Sequence, residues 1–279
     1  MGSVLVTGAS TGIGAACALG LDGSGHKVFA GVRRDADGER LKEQASPRLE
    51  PVLLDVTEPE QVAAATEHVD RSVGGGGLSG LVNNAGVAVG GPLEFLPLDE
   101  WRTQFEVNVF GQIAVTQALI PLLRRATGRV VFIGSLSGRV STPLMGPYGA
   151  SKHAVEAIGE SLREELRPWG MHVAVVEPGA IRTPIWEKGR ATADQLEEAM
   201  PPGARQLYGD GIDRIRGLID QQERDGIPPE RVATVVEHAL FARRPRYRYL
   251  VGTDARVAGA LERLLPDKVM ARLVAKLAP

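Results

Sequence analysis

Seven short runs rich in valine and isoleucine, separated by longer amphipathic stretches, constrain this chain more than any other feature. They are Val4–Thr7, Lys27–Val32, Pro51–Asp55, Gly80–Asn83, Gly128–Gly134, Met171–Glu177 and Tyr247–Gly252. Several are apolar at nearly every position. A strand with one wet face alternates, so these strands are covered on both faces, as in parallel sheets. Strand–helix alternation then predicts an α/β fold with a doubly wound parallel sheet and right-handed crossovers.

At 279 residues and 43% hydrophobic composition, the chain fits one domain spanning 1–279. Two parts of it stand apart. Residues 182–229 lack a strand and hold many charges with Pro184, Pro201, Pro202 and Pro228, which predicts a substrate lid. Residues 254–279 predict a C-terminal helical extension. The helix expected over about Asp99–Arg125 contains Gly111 and Pro121, so a bend or an early end is expected near Pro121. Gly74–Gly77 predicts a loose surface connection.

The net charge of −2 gives no basic surface for nucleic acid. The five histidines are scattered, and no His/Cys/Asp cluster has metal-ligand spacing. The one cysteine, Cys17, reads as a small buried apolar residue. The first strand starts too early to leave room for a signal peptide, and no uninterrupted apolar run reaches membrane-spanning length. A cytoplasmic location is therefore expected.

Thr7-Gly8-Ala9-Ser10-Thr11-Gly12-Ile13-Gly14 follows the first strand and opens a helix. Glycines there let backbone approach a pyrophosphate at the positive end of the helix, and Ser10 and Thr11 add hydroxyls. Such a turn by itself also reads as an ordinary tight strand-to-helix connection. After the second strand, the place where an NAD site sets a carboxylate is occupied by Val32, followed by Arg33 and Arg34. The two arginines either bind a 2′-phosphate or form a solvated basic turn, and Asp35 and Asp37 beside them weigh against the first reading. Asp55, at a third strand end, either accepts from an adenine amino group or serves the helix that follows.

Tyr148 and Lys152 lie four residues apart, on one face of a helix. Ser135 lies thirteen residues upstream, at the end of an apolar run. A phenol has a pKa near 10; a neighbouring ammonium is expected to lower it by roughly one to three units. Tyr148 then moves a proton to or from a carbonyl oxygen while Ser135 holds that oxygen.

The turn Thr7–Gly14, Asn83-Asn84-Ala85-Gly86, Asn108, Ser135, Tyr148-x-x-x-Lys152 and Pro178-Gly179 together resemble the short-chain dehydrogenase/reductase family, over roughly residues 3–252. The resemblance implies a Rossmann-type fold and NAD(P)-dependent oxidation of alcohols or reduction of carbonyls. It implies a catalytic set of Asn108, Ser135, Tyr148 and Lys152, with Asn108 holding a water beside Lys152, which also binds the nicotinamide ribose. It implies cofactor contacts from Gly8, Ser10, Thr11, Gly12, Ile13, Gly14, Asp55, Val56, Asn83, Ala85, Gly86, Pro178, Gly179, Ile181 and Thr183. Arg33, with Arg34, points to NADP(H) over NAD. The lid and tail resemble members acting on steroids or retinoids.

Candidate substrate walls are Val87, Leu136, Pro143, Leu144, Met145, Ile185, Trp186 and Tyr208, besides Ser135 and Tyr148. Their apolar character suits a hydrophobic secondary alcohol or ketone. Val257, Leu261, Leu264, Leu265, Val269, Leu273 and Leu277 recur at helical spacing among basic residues. We favour packing of this stripe on the domain or a partner subunit; the alternative is a peripheral membrane contact. The family commonly forms homodimers or homotetramers through helices corresponding to Asp99–Arg125 and Ser151–Arg167, where Leu119, Leu122 and Leu123 suit burial. The rival class is a catalytically silent NADP-binding regulator or scaffold. A dehydratase or epimerase relative would need a larger second domain than this chain has room for.

Overall fold

The computed structural model of the protein describes residues 2–275. Seven parallel strands, β1 (Ser3–Val6), β2 (Lys27–Val32), β3 (Leu49–Leu53), β4 (Gly80–Asn83), β5 (Arg129–Ile133), β6 (His172–Pro178) and β7 (Arg248–Val251), form one sheet in the order β3-β2-β1-β4-β5-β6-β7. All seven expected runs are strands. The third starts two residues early, because pairing from Val28 with Leu49 to Val32 with Leu53 sets its register. Asp55 therefore lies past the strand, in the loop that follows.

The inner strands bury both faces, while the edge strands β3 and β7 are partly exposed. Val4 and Val6 point into a core shared with α1 (Gly12–Gly23) and a late helix, Glu230–Phe241. Leu5 points the other way, into a core with α3 (Pro59–Val73) and the helices Gly111–Arg125 and Gly146–Leu166. The helix α2 (Asp35–Lys42) covers the β3 side through Leu41. Cys17 is fully buried, and burial pushes its thiol up to about 12. The strand order reverses between β1 and β4, which opens a crevice at their carboxyl ends.

The long central helix departs from expectation. It runs as α4 (Leu98–Phe105), a π-helical turn over Glu106–Phe110, and α5 (Gly111–Arg125). Pro121 sits inside α5 without ending it; the irregularity is the π turn, which carries Asn108. Leu98–Arg125 is long and apolar enough to span a bilayer, but half of its most apolar window is buried in the domain, so it is a core helix. Leu119, Leu122 and Leu123 are likewise buried in the chain's own core and are not available to a partner.

After α6 (Gly146–Leu166), the segment 182–229 folds largely as two helices, α7 (Ile185–Ala199) and α8 (Ala204–Asp225). Past α9 (Glu230–Phe241), the C-terminal part is not one helix but two, α10 (Thr253–Leu264) and α11 (Asp267–Ala275), interrupted at Pro266. Packing of its stripe on the domain is not observed. Ala255 and Gly259 take the inner face of α10, whereas Val257, Leu261, Leu264, Val269 and Leu273 are exposed. Leu277 lies outside the described residues.

Candidate active site

The β1–α1 turn is built by close backbone approach. Gly8 has φ +63°, and a Cβ on Gly14 would sit 2.2 Å from the Gly8 carbonyl oxygen. Gly14 packs the turn and is not among the residues lining the cleft. Thr11 caps α1 without using its side chain, which leaves the first N–H groups of the helix open to a ligand.

The loop after β4 is fastened by a polar ladder on α4–α5. Gln104, Asn108, Gln112 and Thr116 recur every four residues on an otherwise apolar face. Gln104 binds Val87 and Val89, Gln112 donates to the Ala85 carbonyl at 2.9 Å, and Thr116 accepts from Asn83 at 2.7 Å. Sequence reasoning missed this ladder apart from Asn108; the four-residue spacing of polar side chains was the available signal. It also missed Asn84, whose Nδ2 donates to the Thr7 and Gly8 carbonyls at 2.9 and 3.0 Å. Asn83 is fully buried with its side chain on Thr116, and Asn84 rather than Asn83 lines the cleft.

A cleft of about 400 Å³ lies over these strand ends. Gly8, Ser10, Thr11, Gly12, Ile13, Arg33, Asp55, Val56, Ala85, Gly86, Pro178, Gly179, Ile181 and Thr183 line it, as expected, with Ser135, Tyr148 and Lys152 on the same wall. Arg34 does not. Its guanidinium bonds Asp37 at 3.0 Å, and Arg40 holds the same carboxylate. The acid that weighed against a phosphate reading is thereby turned away. Asp55 uses one oxygen to accept from the Thr57 amide and hydroxyl, so it shapes the loop as well as facing the cleft.

Ser135 caps a short turn by accepting from the Ser137 amide at 3.1 Å, and its hydroxyl bonds Tyr148. Lys152 Nζ donates to the Ile133 carbonyl at 2.8 Å and lies 5.8 Å from the Tyr148 ring centre. Both groups are buried. Burial pushes the Tyr148 phenol up, opposed by the Ser135 bond, and pushes the Lys152 ammonium down to about 8, opposed by Glu156. The expected acidification of Tyr148 by Lys152 is thus not found in the protein alone. The ammonium is spent on a carbonyl, and desolvation outweighs it. Asn108 is buried behind the wall. It bonds both polar groups of Val87 and donates at 3.1 Å to Ser151, whose hydroxyl donates to the Tyr148 carbonyl. It therefore positions the tyrosine helix.

A smaller apolar pocket adjoins the cleft, sharing Ala88, Trp186 and Gly189 with it. Trp186 stands edge-on to Tyr148 with ring centres 6.1 Å apart. Leu144 and Met145 line this pocket; Val87 and Ile185 line the cleft. Leu136, Pro143 and Tyr208 line neither, and Tyr208 donates to Glu94 on the surface. Arg190 and Arg216 on the apolar pocket's wall are paired with acids of α7 and α8, so the wall offers no bare charge.

A family model described as short chain dehydrogenase matches residues 3–194. The NADPH-dependent 3-dehydrocapnine reductase of Ornithobacterium rhinotracheale is 36% identical, across 98% of this chain and 95% of its own. Mouse retinol dehydrogenase 5 is 39% identical, across 96% and 86%. A crystal structure of a short chain dehydrogenase/reductase from Burkholderia phymatum in complex with NAD superposes with a TM-score of 0.81 at 26% identity, across 97% of this chain and 95% of that one.

Proposed function

Since the chain belongs to the short-chain dehydrogenase/reductase family and is an oxidoreductase of CH–OH groups, we propose that it is an NADP(H)-preferring enzyme of hydrophobic secondary alcohols and ketones, steroid- or retinoid-like in size and polarity. One observation carries this reading. The Tyr148–Ser135 pair stands where a dinucleotide-sized cleft meets an apolar pocket, with Trp186 on both walls.

The residues present fit a nicotinamide dinucleotide. Gly8, Gly12 and the open N-terminus of α1 suit its pyrophosphate, Arg33 its 2′-phosphate, Asp55 and Val56 its adenine, and Pro178–Thr183 its nicotinamide end. Bound there, it supplies or takes the hydride. The protein's part is the proton. Ser135 donates a hydrogen bond to the substrate oxygen, and Tyr148 Oη gives that oxygen a proton in reduction or removes it in oxidation. A phenol held neutral by burial is the right starting form for reduction. Lys152 keeps positive charge behind the ring, which favours the phenolate left after transfer.

NADP preference rests on Arg33 in the cleft, the diversion of Asp37, and the NADPH-dependent relative; NAD remains the competing cofactor. We place the enzyme in the cytoplasm as a homodimer or homotetramer. The exposed stripe of α10–α11 supports burial against a second subunit; a peripheral membrane contact is the alternative.

The test is NADPH consumption with a panel of apolar ketones, repeated with Tyr148→Phe. Turnover should fall by on the order of 10²–10⁴ while NADPH affinity, read by fluorescence titration, stays within about twofold. Tight cofactor binding without turnover on any carbonyl or alcohol would return the regulator reading.

A further inference from the structure

Glu156 is the anomaly of this molecule. It is 6% exposed, and both carboxylate oxygens are buried without a hydrogen-bond partner. Arg248 Nε comes within 3.3 Å of one oxygen but not in hydrogen-bonding geometry. A buried carboxylate left in this state is costly and calls for a compensating role. One helical turn earlier on α6 stands Lys152, itself 4% exposed, so the two side chains share a face.

Both heads lie against the Ile133–Gly134 peptide at the end of β5, without an ion pair between them. The Lys152 ammonium bonds the Ile133 carbonyl, and the next residue, Gly134, leaves the room in which Glu156 sits. A Cβ on Gly134 would lie 2.8 Å from Glu156 Oε1; one on Gly138 would lie 2.9 Å from the Lys152 carbonyl and 3.2 Å from Glu156 Cγ. The loop that presents Ser135 is thus bracketed by two glycines that make space for this pair.

We propose that Glu156 is a positioning residue for Lys152, keeping the buried ammonium, which the Ile133 carbonyl holds behind Tyr148, charged in the working pH range. The inference rests on the proposed function for its consequence in turnover. Glu156 faces a defined set of charges. They are Lys152 and Glu160 on its own helix, Glu177 on β6, Arg248 on β7 and Arg139 after β5, the last also 3.3 Å from Glu262 of α10. Glu177 is fully buried and takes both arginines, bonding Arg139 through two nitrogens and lying 3.7 Å from Arg248. Glu156 receives what charge remains. Burial and Glu177 push its carboxyl up to about 7, so it is anionic just where Lys152, at about 8, begins to lose its proton. The two titrate as a pair, and the anion retains the proton on its neighbour.

The experiment uses Glu156→Gln, which keeps shape and removes charge, with Glu156→Asp as the conservative variant. Two readouts are taken: the alkaline limb of the kcat/KM profile for ketone reduction, and the titration of the Lys152 ε-carbon in ¹³C-lysine-labelled protein, identified by its absence in Lys152→Met. In Glu156→Gln, Lys152 should lose its proton about one pH unit lower, a roughly tenfold loss of proton affinity, and the kinetic limb should move with it. Activity at pH 6 should change little, and Glu156→Asp should restore most of the shift. Arg248→Met, which lets Glu156 retain its proton, should move Lys152 in the same direction, and it serves if Glu156→Gln does not fold. An unmoved or raised Lys152 titration overturns the proposal. The NMR titration stands without turnover, so a failure of the functional reading is distinguishable from a failure of this one.

Discussion

The buried Lys152 should cost the folded protein stability, and the cost should depend on pH. In the fold, burial brings Lys152 from 10.5 to about 8. A folded value below the unfolded one means the unfolded chain binds more protons between the two, so stability rises with pH there. Below about pH 8 the burial penalty is present in full; it is relieved as pH rises through that value. At about 1.36 kcal/mol per pH unit, the gain between pH 7 and 9.5 comes to about 2 kcal/mol. Glu156, at about 7, is half titrated at pH 7 and subtracts only about 0.4 kcal/mol of that. Tyr148, with its phenol pushed up, takes stability away only above pH 10, outside the window. Lys152→Met removes the gain. Urea unfolding of both proteins at pH 7, 8, 9 and 9.5, without cofactor, gives the comparison. Wild type should gain about 2 kcal/mol relative to Lys152→Met. Parallel stability curves would show that Lys152 is solvated in the native state, and the electrostatic reading of the site would fail with it.

Two further outcomes bear on the cleft. Arg33→Ala should weaken NADPH by on the order of tenfold to a hundredfold, the loss of a charge-assisted contact, and leave NADH nearly unchanged; equal losses in parallel binding titrations would show that Arg33 does not read the phosphate. Gly14→Ala should abolish binding of both cofactors, because its Cβ would meet the Gly8 carbonyl at 2.2 Å and the Asn84 amide at 2.4 Å. Wild-type dinucleotide affinity in that variant would show that the turn opens at little cost.

Much of the fold could be read from periodicity. The inner strands, buried on both faces, are apolar at nearly every position and stand out in the sequence, and alternation with helices points to the parallel arrangement. The meeting of Ser135, Tyr148 and Lys152 on one wall of the cleft was equally legible, because Tyr148 and Lys152 are tied by helix geometry and Ser135 by its place at a strand end. What failed did so where neighbours decide. Pro121 promised a kink, yet the helix packs through it and yields at a π turn, where Asn108 has partners on two sides. Asn83 and Asn84 are chemically identical and adjacent; strand alternation sends one into the core and the other to the cleft.

The sequence by itself determined the sheet, the dinucleotide turn and which groups meet at the site, because these depend on spacing along one chain. Tertiary structure alone decided their electrical state. Whether a phenol is acidic or an ammonium labile depends on what surrounds it in three dimensions. Here burial decides both, opposed by the Ser135 hydroxyl at Tyr148 and by the Glu156 carboxylate at Lys152. No spacing rule carries that information, because desolvation is a property of the packed interior.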